Sequence, residues 1–466
     1  MGRPRSARLP HRIRHPLAVS EPSGVLLRRR APRDDAVPRE PADRPARGSR
    51  DHVQRVALRR REHARDGRRR AHDRPDRRAH EPASGHRRSM SAAEAGRPTV
   101  SVVIPSYRRL ERVPPLVAAY LAQGADEVVV VLDGPHPGWR TALADVASEA
   151  SVVIELPENR GLALARIAGL EAASGDVVLA VDDDVEPGDG LVERHRAFHA
   201  GGGDRVLLGY MPVSLPVRRG RDDAPAFVYA RDYERQAAVW RSADASSPES
   251  PVSPESSSLV LGSLWGGNFS LPRDLYLRAE ALAPSIRLDY NEDLDLGIRL
   301  ERLGATARFD PLARAAHHQV RDLAGFRREA VQRGAAVADL ERRWGTRPPQ
   351  LVPVVTIPAS YHGALARGQR RIAASDRPEL VERTAVAVYR VAGVLHVWRL
   401  QDGVVRFLRR GLAMRGYRQR TRAARDGATG GADAPVPAPS ATRPLVEERR
   451  VSGPVASTRR RCGTRR

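Results

Sequence analysis

Gly175-Asp176-Val177-Val178-Leu179-Ala180-Val181-Asp182-Asp183-Asp184 is the stretch on which the fold reading turns. Its apolar run is nearly unbroken, which is how a strand covered on both faces reads. It ends in three adjacent carboxylates. These repel one another and are tolerated where solvent or a cation compensates them. Mg2+ and Mn2+ prefer hard oxygen ligands and commonly bridge one or two carboxylates to phosphate oxygens. The triplet therefore reads either as a solvated acidic turn or as a metal–diphosphate site.

Three more runs of the same texture precede it, Thr99–Ile104, Glu127–Leu132 and Ser151–Leu156. Ala/Leu-rich pieces of helical length separate them, at about 109–123, 138–148 and 160–174. This alternation predicts βαβ units and a parallel sheet with right-handed crossovers. In open sheets of this kind ligands sit beyond the carboxyl ends of the strands. The chemistry-bearing residues should lie just after each run, and polar residues do cluster there. Pro105-Ser106-Tyr107-Arg108 ends the first, Leu132-Asp133-Gly134 the second, and Pro157-Glu158-Asn159-Arg160-Gly161 follows the third. Asp133 is suited to accept hydrogen bonds from a base or ribose, and Tyr107 to stack on a base. Arg166, further into its helix, is suited to reach a phosphate. Asn159 is suited to cap that helix.

Beyond the triplet, 242–258 is rich in Ser and Pro and reads as a mobile loop or insertion. Gly266-Gly267-Asn268-Phe269 comes next, then helices near 272–282 and from Asn291, and a helical stretch over 321–345. Residues 346–410 hold Pro-rich turns and then helices. No internal repeat is visible. His195 and His199 are spaced i,i+4 without a third ligand nearby and read as surface residues.

Composition bounds the function. The formal charge is +23, and all 79 basic residues are arginine. Residues 1–89 carry 26 Arg against 11 acids, and 409–466 carry 15 Arg against 4, which leaves −3 for everything between. Basic character belongs to the two ends. A nucleic-acid binder working through those ends is the alternative class, and the neutral body weakens it. Residues 1–89 lack apolar periodicity and cannot offset their ordering entropy. Met90, just before the first strong strand, reads as the true start. The single cysteine, Cys462, excludes a disulfide framework and a thiolate zinc site. No apolar run of about 18 residues is present. The expected location is cytoplasmic, with a peripheral contact of the Arg-rich tail at the inner face of the membrane left open. The Ala, Gly, Pro and Arg bias points to a bacterial, GC-rich source.

The ordered set Ile104-Pro105-Ser106-Tyr107, Val131-Leu132-Asp133, Asn159-Arg160-Gly161, 175–184, Gly266-Gly267-Asn268-Phe269 and 292–300 resembles the family 2 nucleotide-sugar glycosyltransferases of GT-A fold. The resemblance covers roughly 98–320. It implies an α/β, GT-A-like architecture with a mostly parallel central sheet flanked by helices, a helical C-terminal appendage and disordered ends. The expected divisions are a disordered extension over 1–97, the transferase domain over 98–345, the appendage over 346–418 and a basic tail over 419–466.

The resemblance also implies roles. Asp182 and Asp184 match the DxD motif, Asp182 on the ribose side and Asp184 on the metal. Pro105, Ser106, Tyr107, Asp133, Asn159, Gly161, Arg166 and Asp183 would complete the donor site. Glu292 and Asp293 match the pair that supplies the general base, Asp293 preferred. His317 or His318 matches a later histidine that assists the metal or diphosphate. Trp265, Gly267 and Asn268 would face the acceptor. The expected cofactor is Mn2+ or Mg2+. The expected partners are a nucleotide-sugar donor and a hydroxyl acceptor, whether saccharide, lipid-linked or small molecule, with no specific nucleic acid. The simpler account of Glu292-Asp293 is two acids favoured by the dipole of a helix's first turn. A catalytically silent sugar-binding relative is the third reading.

Overall fold

A computed structural model of the chain describes residues 55–57, 96–243, 252–319, 321–358 and 363–427. The disorder expected over 1–97 and 419–466 falls outside these residues, save at 55–57, 96–97 and 419–427, where Arg55–Ala57 is a strand and 419–427 continue a helix. The chain forms two compact units, and the first, Met1–Asp51, lies entirely outside them.

Nine strands are described: β1 (Arg55–Ala57), β2 (Val100–Ser106), β3 (Glu127–Leu132), β4 (Ser151–Glu155), β5 (Val177–Val181), β6 (Val185–Pro187), β7 (Arg205–Tyr210), β8 (Asn268–Pro272) and β9 (Thr306–His317). Their order across the sheet is β1-β4-β3-β2-β5-β8-β7-β9-β6. The four apolar runs form the parallel half, β4-β3-β2-β5, as their texture predicts. Every residue of β2, β3 and β5 is buried. Helices Val113–Ala122 and Leu162–Ala172 make the crossovers. Gly169 lets the second of these lie close on the sheet, since a Cβ there would come within 2.4 Å of Val103 Cγ1. The piece at 138–148 is helical only in short turns, because Leu143 (φ −99°, ψ 4°) leaves helical geometry.

The other half of the sheet is mixed. β8 runs antiparallel to both β5 and β7, while β7 and β9 are parallel. This topology builds one rim from distant sequence. Val181 pairs with Asn268, so the residues entering β8 lie beside those leaving β5. Val185 pairs with His317, so the end of β9 arrives at the same place.

His195 and His199 are buried, contrary to the surface reading. They lock β8 to helix Leu191–His199. His195 Nδ1 lies 2.7 Å and His199 Nε2 2.8 Å from Ser270 Oγ, and His195 Nε2 lies 3.0 Å from Asn268 Oδ1. Asn268 Nδ2 donates to Ala313 O at 3.0 Å, so its oxygen faces His195. One directed chain satisfies these contacts. His199 Nε2–H donates to Ser270, Ser270 to His195 Nδ1, and His195 Nε2–H to Asn268. Burial pushes both imidazoles down, His195 to about 4 and His199 to about 3, so both are neutral.

The Ser/Pro stretch is partly helical rather than a loop throughout. Ser253 caps a helix over Pro254–Leu261, its Oγ accepting from Ser256 N at 3.1 Å. Helices Leu323–Trp344, Gly363–Ala374, Leu380–Val394 and Trp398–Gly427 pack around Phe326, Ile372, Tyr389, Val405 and Leu408. Helix Ala224–Ala243 contributes Ala224 and Val228 to this second core. The helical appendage is thereby continuous with the sheet domain.

Candidate active site

The carboxyl ends of β2, β3 and β5 and the entry to β8 open onto a cleft of about 600 Å³. Thirteen of the residues singled out from the sequence line it. They are Pro105, Ser106, Tyr107, Asp133, Asn159 and Gly161 on one side, Asp182, Asp183 and Asp184 at the centre, and Trp265, Glu292, Asp293 and His317 beyond. Three do not. Arg166 sits behind the wall, Gly267 is part of the backbone support, and Asn268 is fully buried in the histidine chain. The acceptor-facing expectation for Gly267 and Asn268 is corrected accordingly.

The three acids lie in the turn after β5, and each has its own set of partners, with Arg109 shared by Asp183 and Asp184. Asp182 Oδ1 accepts from Arg166 Nη2 at 2.6 Å. Asp183 accepts from Ser106 Oγ at 2.8 Å and from Arg109 Nη1 at 2.9 Å. Asp184 faces Arg109 Nη1 at 3.1 Å, Arg112 Nη1 at 3.8 Å and His317 Nε2 at 3.2 Å. Burial pushes the Asp183 carboxyl up, against the pull of Arg109. Burial acts the same way on Asp184, but His317, Arg109 and Arg112 outweigh it and hold that carboxyl below its ordinary value.

Gly267 makes the fit possible. Its φ of +107° is closed to most side chains, and a Cβ would come within 2.8 Å of Asp182 Oδ2. The neighbouring Gly266 N donates to Asp293 Oδ2 at 2.7 Å, which ties the helix Glu292–Arg302 to the β8 entry. Asn291 precedes that helix with φ 62°, a left-handed conformation asparagine accepts better than most residues.

Arg166 joins the two acidic groups. Its Nη2 holds Asp182 and its Nη1 holds Glu292 Oε1 at 3.2 Å, with the side chain 3% exposed. The expectation that it reaches a donor phosphate is therefore corrected, since both arms are committed to carboxylates. Burial opposes its charge, but Asp182 and Glu292 outweigh burial and hold it protonated. Removing one partner of such a network strands buried charge. Arg166→Met should lower the unfolding free energy by about 3–5 kcal/mol in urea titration. A loss under about 1 kcal/mol would mean that Asp182 and Glu292 find compensation elsewhere.

Glu292 and Asp293 are both raised. Burial pushes Glu292 up, the charge of Asp293 adds to it, and the carboxyl reaches about 7. Burial also raises Asp293, although it accepts from Gly266 N and from Leu294 N at 2.8 Å.

Asp133 does a local job. Its Oδ1 accepts from Arg160 N at 2.7 Å, and its Oδ2 from Asn159 Nδ2 and Gly161 N, each at 3.0 Å. It thus shapes the loop that enters helix Leu162–Ala172. Asn159 does not cap that helix. Tyr107 is 43% exposed, with the Arg108 guanidinium 5.0 Å from its ring centre.

Beyond Asp293 the cleft continues past Tyr229, Tyr290, Gln319, Arg321, Glu329 and Arg333. Three buried polar atoms here, Asn291 Nδ2, Gln319 Oε1 and Arg333 Nε, have no hydrogen-bond partner. Sequence reading missed this wall, as it missed Arg109. Arg109 follows a strand end that had drawn attention, but the others lie on segments without a distinguishing pattern. His318 Nε2 turns away, to Glu186 at 2.7 Å, which leaves His317 as the histidine of the cleft.

Among the described residues no three His, Cys, Asp or Glu side chains converge to enclose a metal. Asp184 and His317 still fit a divalent cation, since a carboxylate oxygen and an imidazole nitrogen face each other 3.2 Å apart on the cleft wall. Mg2+ and Mn2+ are commonly held by one or two carboxylates, with phosphate oxygens and water filling the other positions.

Residues 101–242 match the family described as Glycosyl transferase family 2. A Haloferax volcanii protein named glucosyl-dolichyl phosphate glucuronosyltransferase is 32% identical over 135 residues, covering 28% of this chain and 43% of its own. An uncharacterized glycosyltransferase of Bacillus subtilis, YfnE, is 29% identical over 113 residues, 23% of this chain and 29% of its own. The chain thus spans less than half the length of these curated relatives. Among solved structures, mannosyltransferase PcManGT from Pyrobaculum calidifontis, in complex with GDP-Man and Mn2+, aligns over 69% of this chain and 88% of its own, at 18% identity and TM-score 0.44. GalNAc-T7 with UDP, GalNAc and Mn2+ aligns over 53% and 48%, at 16% identity and TM-score 0.37.

Proposed function

We propose that this chain is a glycosyltransferase that moves a sugar from a nucleoside-diphosphate donor to a hydroxyl acceptor with inversion, Asp293 acting as base; the match of residues 101–242 to glycosyl transferase family 2 supports the reading. The observation that carries the reading is the shared cleft. The acids at 182–184 and the Glu292-Asp293 pair border one cavity, bridged by Arg166.

The donor's nucleotide lies against Pro105–Tyr107 and the loop that Asp133 shapes. Its diphosphate lies toward Asp182–Asp184. Asp184 and His317 would hold a divalent cation, and such an ion would supply charge neutralisation on the leaving diphosphate. The acceptor enters from the side of Tyr229 and Tyr290, where the unpaired Asn291 Nδ2, Gln319 Oε1 and Arg333 Nε await polar partners.

Asp293 takes the acceptor hydroxyl proton. The freed oxygen pair attacks the anomeric carbon on the face opposite the diphosphate. The bond from that carbon to the diphosphate oxygen breaks, and its electrons leave with the diphosphate. Two backbone N–H groups fix the orientation of Asp293, whereas Glu292 is committed to Arg166. That difference favours Asp293 as the base.

A thermal-shift series with UDP-, GDP- and dTDP-sugars in the presence of Mn2+ tests the donor assignment. A donor at 100 times its Kd stabilises the native state by about 2.7 kcal/mol, a shift of several degrees. The reading fails if no donor moves the midpoint.

A further inference from the structure

Large apolar side chains that stand in water are not evenly spread over this protein. Fourteen are exposed among the described residues; five of them, Val391, Val394, Leu395, Val397 and Leu400, belong to one elbow, and a sixth, Val217, lies on a segment fastened to it. The elbow joins helix Leu380–Val394 to helix Trp398–Gly427. Leu395 is 65% exposed, Val394 59%, and Val217 fully.

The elbow is an ordered structure. Leu395 N donates to Val391 O at 2.9 Å and Val397 N to Ala392 O at 2.8 Å, while His396 closes the turn at φ 56°. The segment carrying Val217 is fastened to it. Gln401 Nε2 donates to Arg221 O, and Tyr389 OH donates to Asp222 O at 2.9 Å. The Arg219 guanidinium lies 4.8 Å from the Trp398 ring centre. The two segments therefore present a single surface.

Its exposed charge is predominantly positive. Residues 383–401 contain no acid. Arg218, Arg221, Arg383, Arg390 and Arg399 are exposed on the two segments, against Asp222 alone. Contiguous exposed apolar groups mark interaction sites. An apolar tip ringed by arginine matches the boundary between anionic headgroups and acyl chains. A second copy of the same surface would bring arginine against arginine. No described helix is long and apolar enough to cross a membrane.

We propose that the elbow at 391–400, together with Val217, is a membrane-docking surface that inserts its apolar side chains into a bilayer of anionic lipids. Arginines at its edge meet the headgroups.

The test is co-sedimentation of the full chain with vesicles of phosphatidylglycerol and phosphatidylcholine, and of phosphatidylcholine alone, at physiological salt. The wild type should partition onto the anionic vesicles. Val394→Asp combined with Leu395→Asp should lower that partition by about tenfold or more, with an unchanged thermal midpoint. Val217→Asp, on the other segment, should lower it in the same direction. Equal partition of wild type and variants overturns the proposal, because the basic ends then account for all binding. Absence of wild-type binding overturns it as well. So does a wild-type dimer that the double variant converts to monomer while vesicles are ignored, since the surface would then join two copies.

Discussion

Asp293→Asn should lower kcat by about 10²–10⁴-fold while donor affinity stays within about twofold. The amide keeps the shape of the carboxylate and an acceptor for one of the two backbone N–H groups, from Gly266 and Leu294. It cannot take a proton from the acceptor. Transfer rate and donor binding, measured separately, divide the two roles. The pH dependence adds a second signature. Burial raises Asp293, and Glu292 beside it reaches about 7. A base works only when deprotonated, so raised carboxyls move the acidic limb of the rate profile upward. Activity should fall on acidification well above the range of an ordinary carboxylate. Because the two acids are coupled, the limb reports the pair rather than either residue. In the Asn variant the residual rate should lose its dependence on Asp293 ionisation. Near-normal transfer by Asp293→Asn would remove Asp293 from the chemistry.

Asp184→Ala should abolish metal-dependent turnover, with a loss of about 10²–10³ in kcat, the scale of a lost electrostatic stabiliser at a developing oxyanion. Asp184 is the acid of the triplet best placed for a cation. It is held below its ordinary value and faces His317 Nε2 at 3.2 Å, whereas Asp183 is spent on Ser106 and Arg109. Mn2+ titration of the donor-bound protein should show binding to the wild type and none to the variant. Full wild-type activity in excess chelator would refute the cation's role, and so would an Asp184→Ala variant that still responds to Mn2+.

The parallel half of the sheet was legible because β2, β3, β4 and β5 are buried on both faces and leave near-continuous apolar runs. The remaining strands were not. β9 mixes buried and exposed positions and carries Pro311, so no single periodicity marks it. β7 is a short buried run whose neighbours are far away in sequence. The helix Ala224–Ala243 packs against both cores and lacks a clean polar face. Site residues were legible where they follow a readable strand, as at 105–107, 133 and 182–184. Arg166 was found but given the wrong partner, because sequence order does not reveal that Asp182 and Glu292 converge on it. Gln319 and Arg333 were invisible for a different reason: what distinguishes them is an unmet hydrogen bond in a folded wall.

The strand order also fixes when this domain can be completed during synthesis. Among the described residues β7 pairs with β8 and β9 alone, and both are translated after it, β8 at Asn268–Pro272 and β9 at Thr306–His317. A nascent chain ending before residue 268 therefore holds β7 as a strand with no neighbour, with β5 still an open edge. The two halves of the sheet close only when β8 emerges from the ribosome, late and between strands already made. Such non-local closure is slow, and until it happens the unfinished edges are exposed to pairing with other chains.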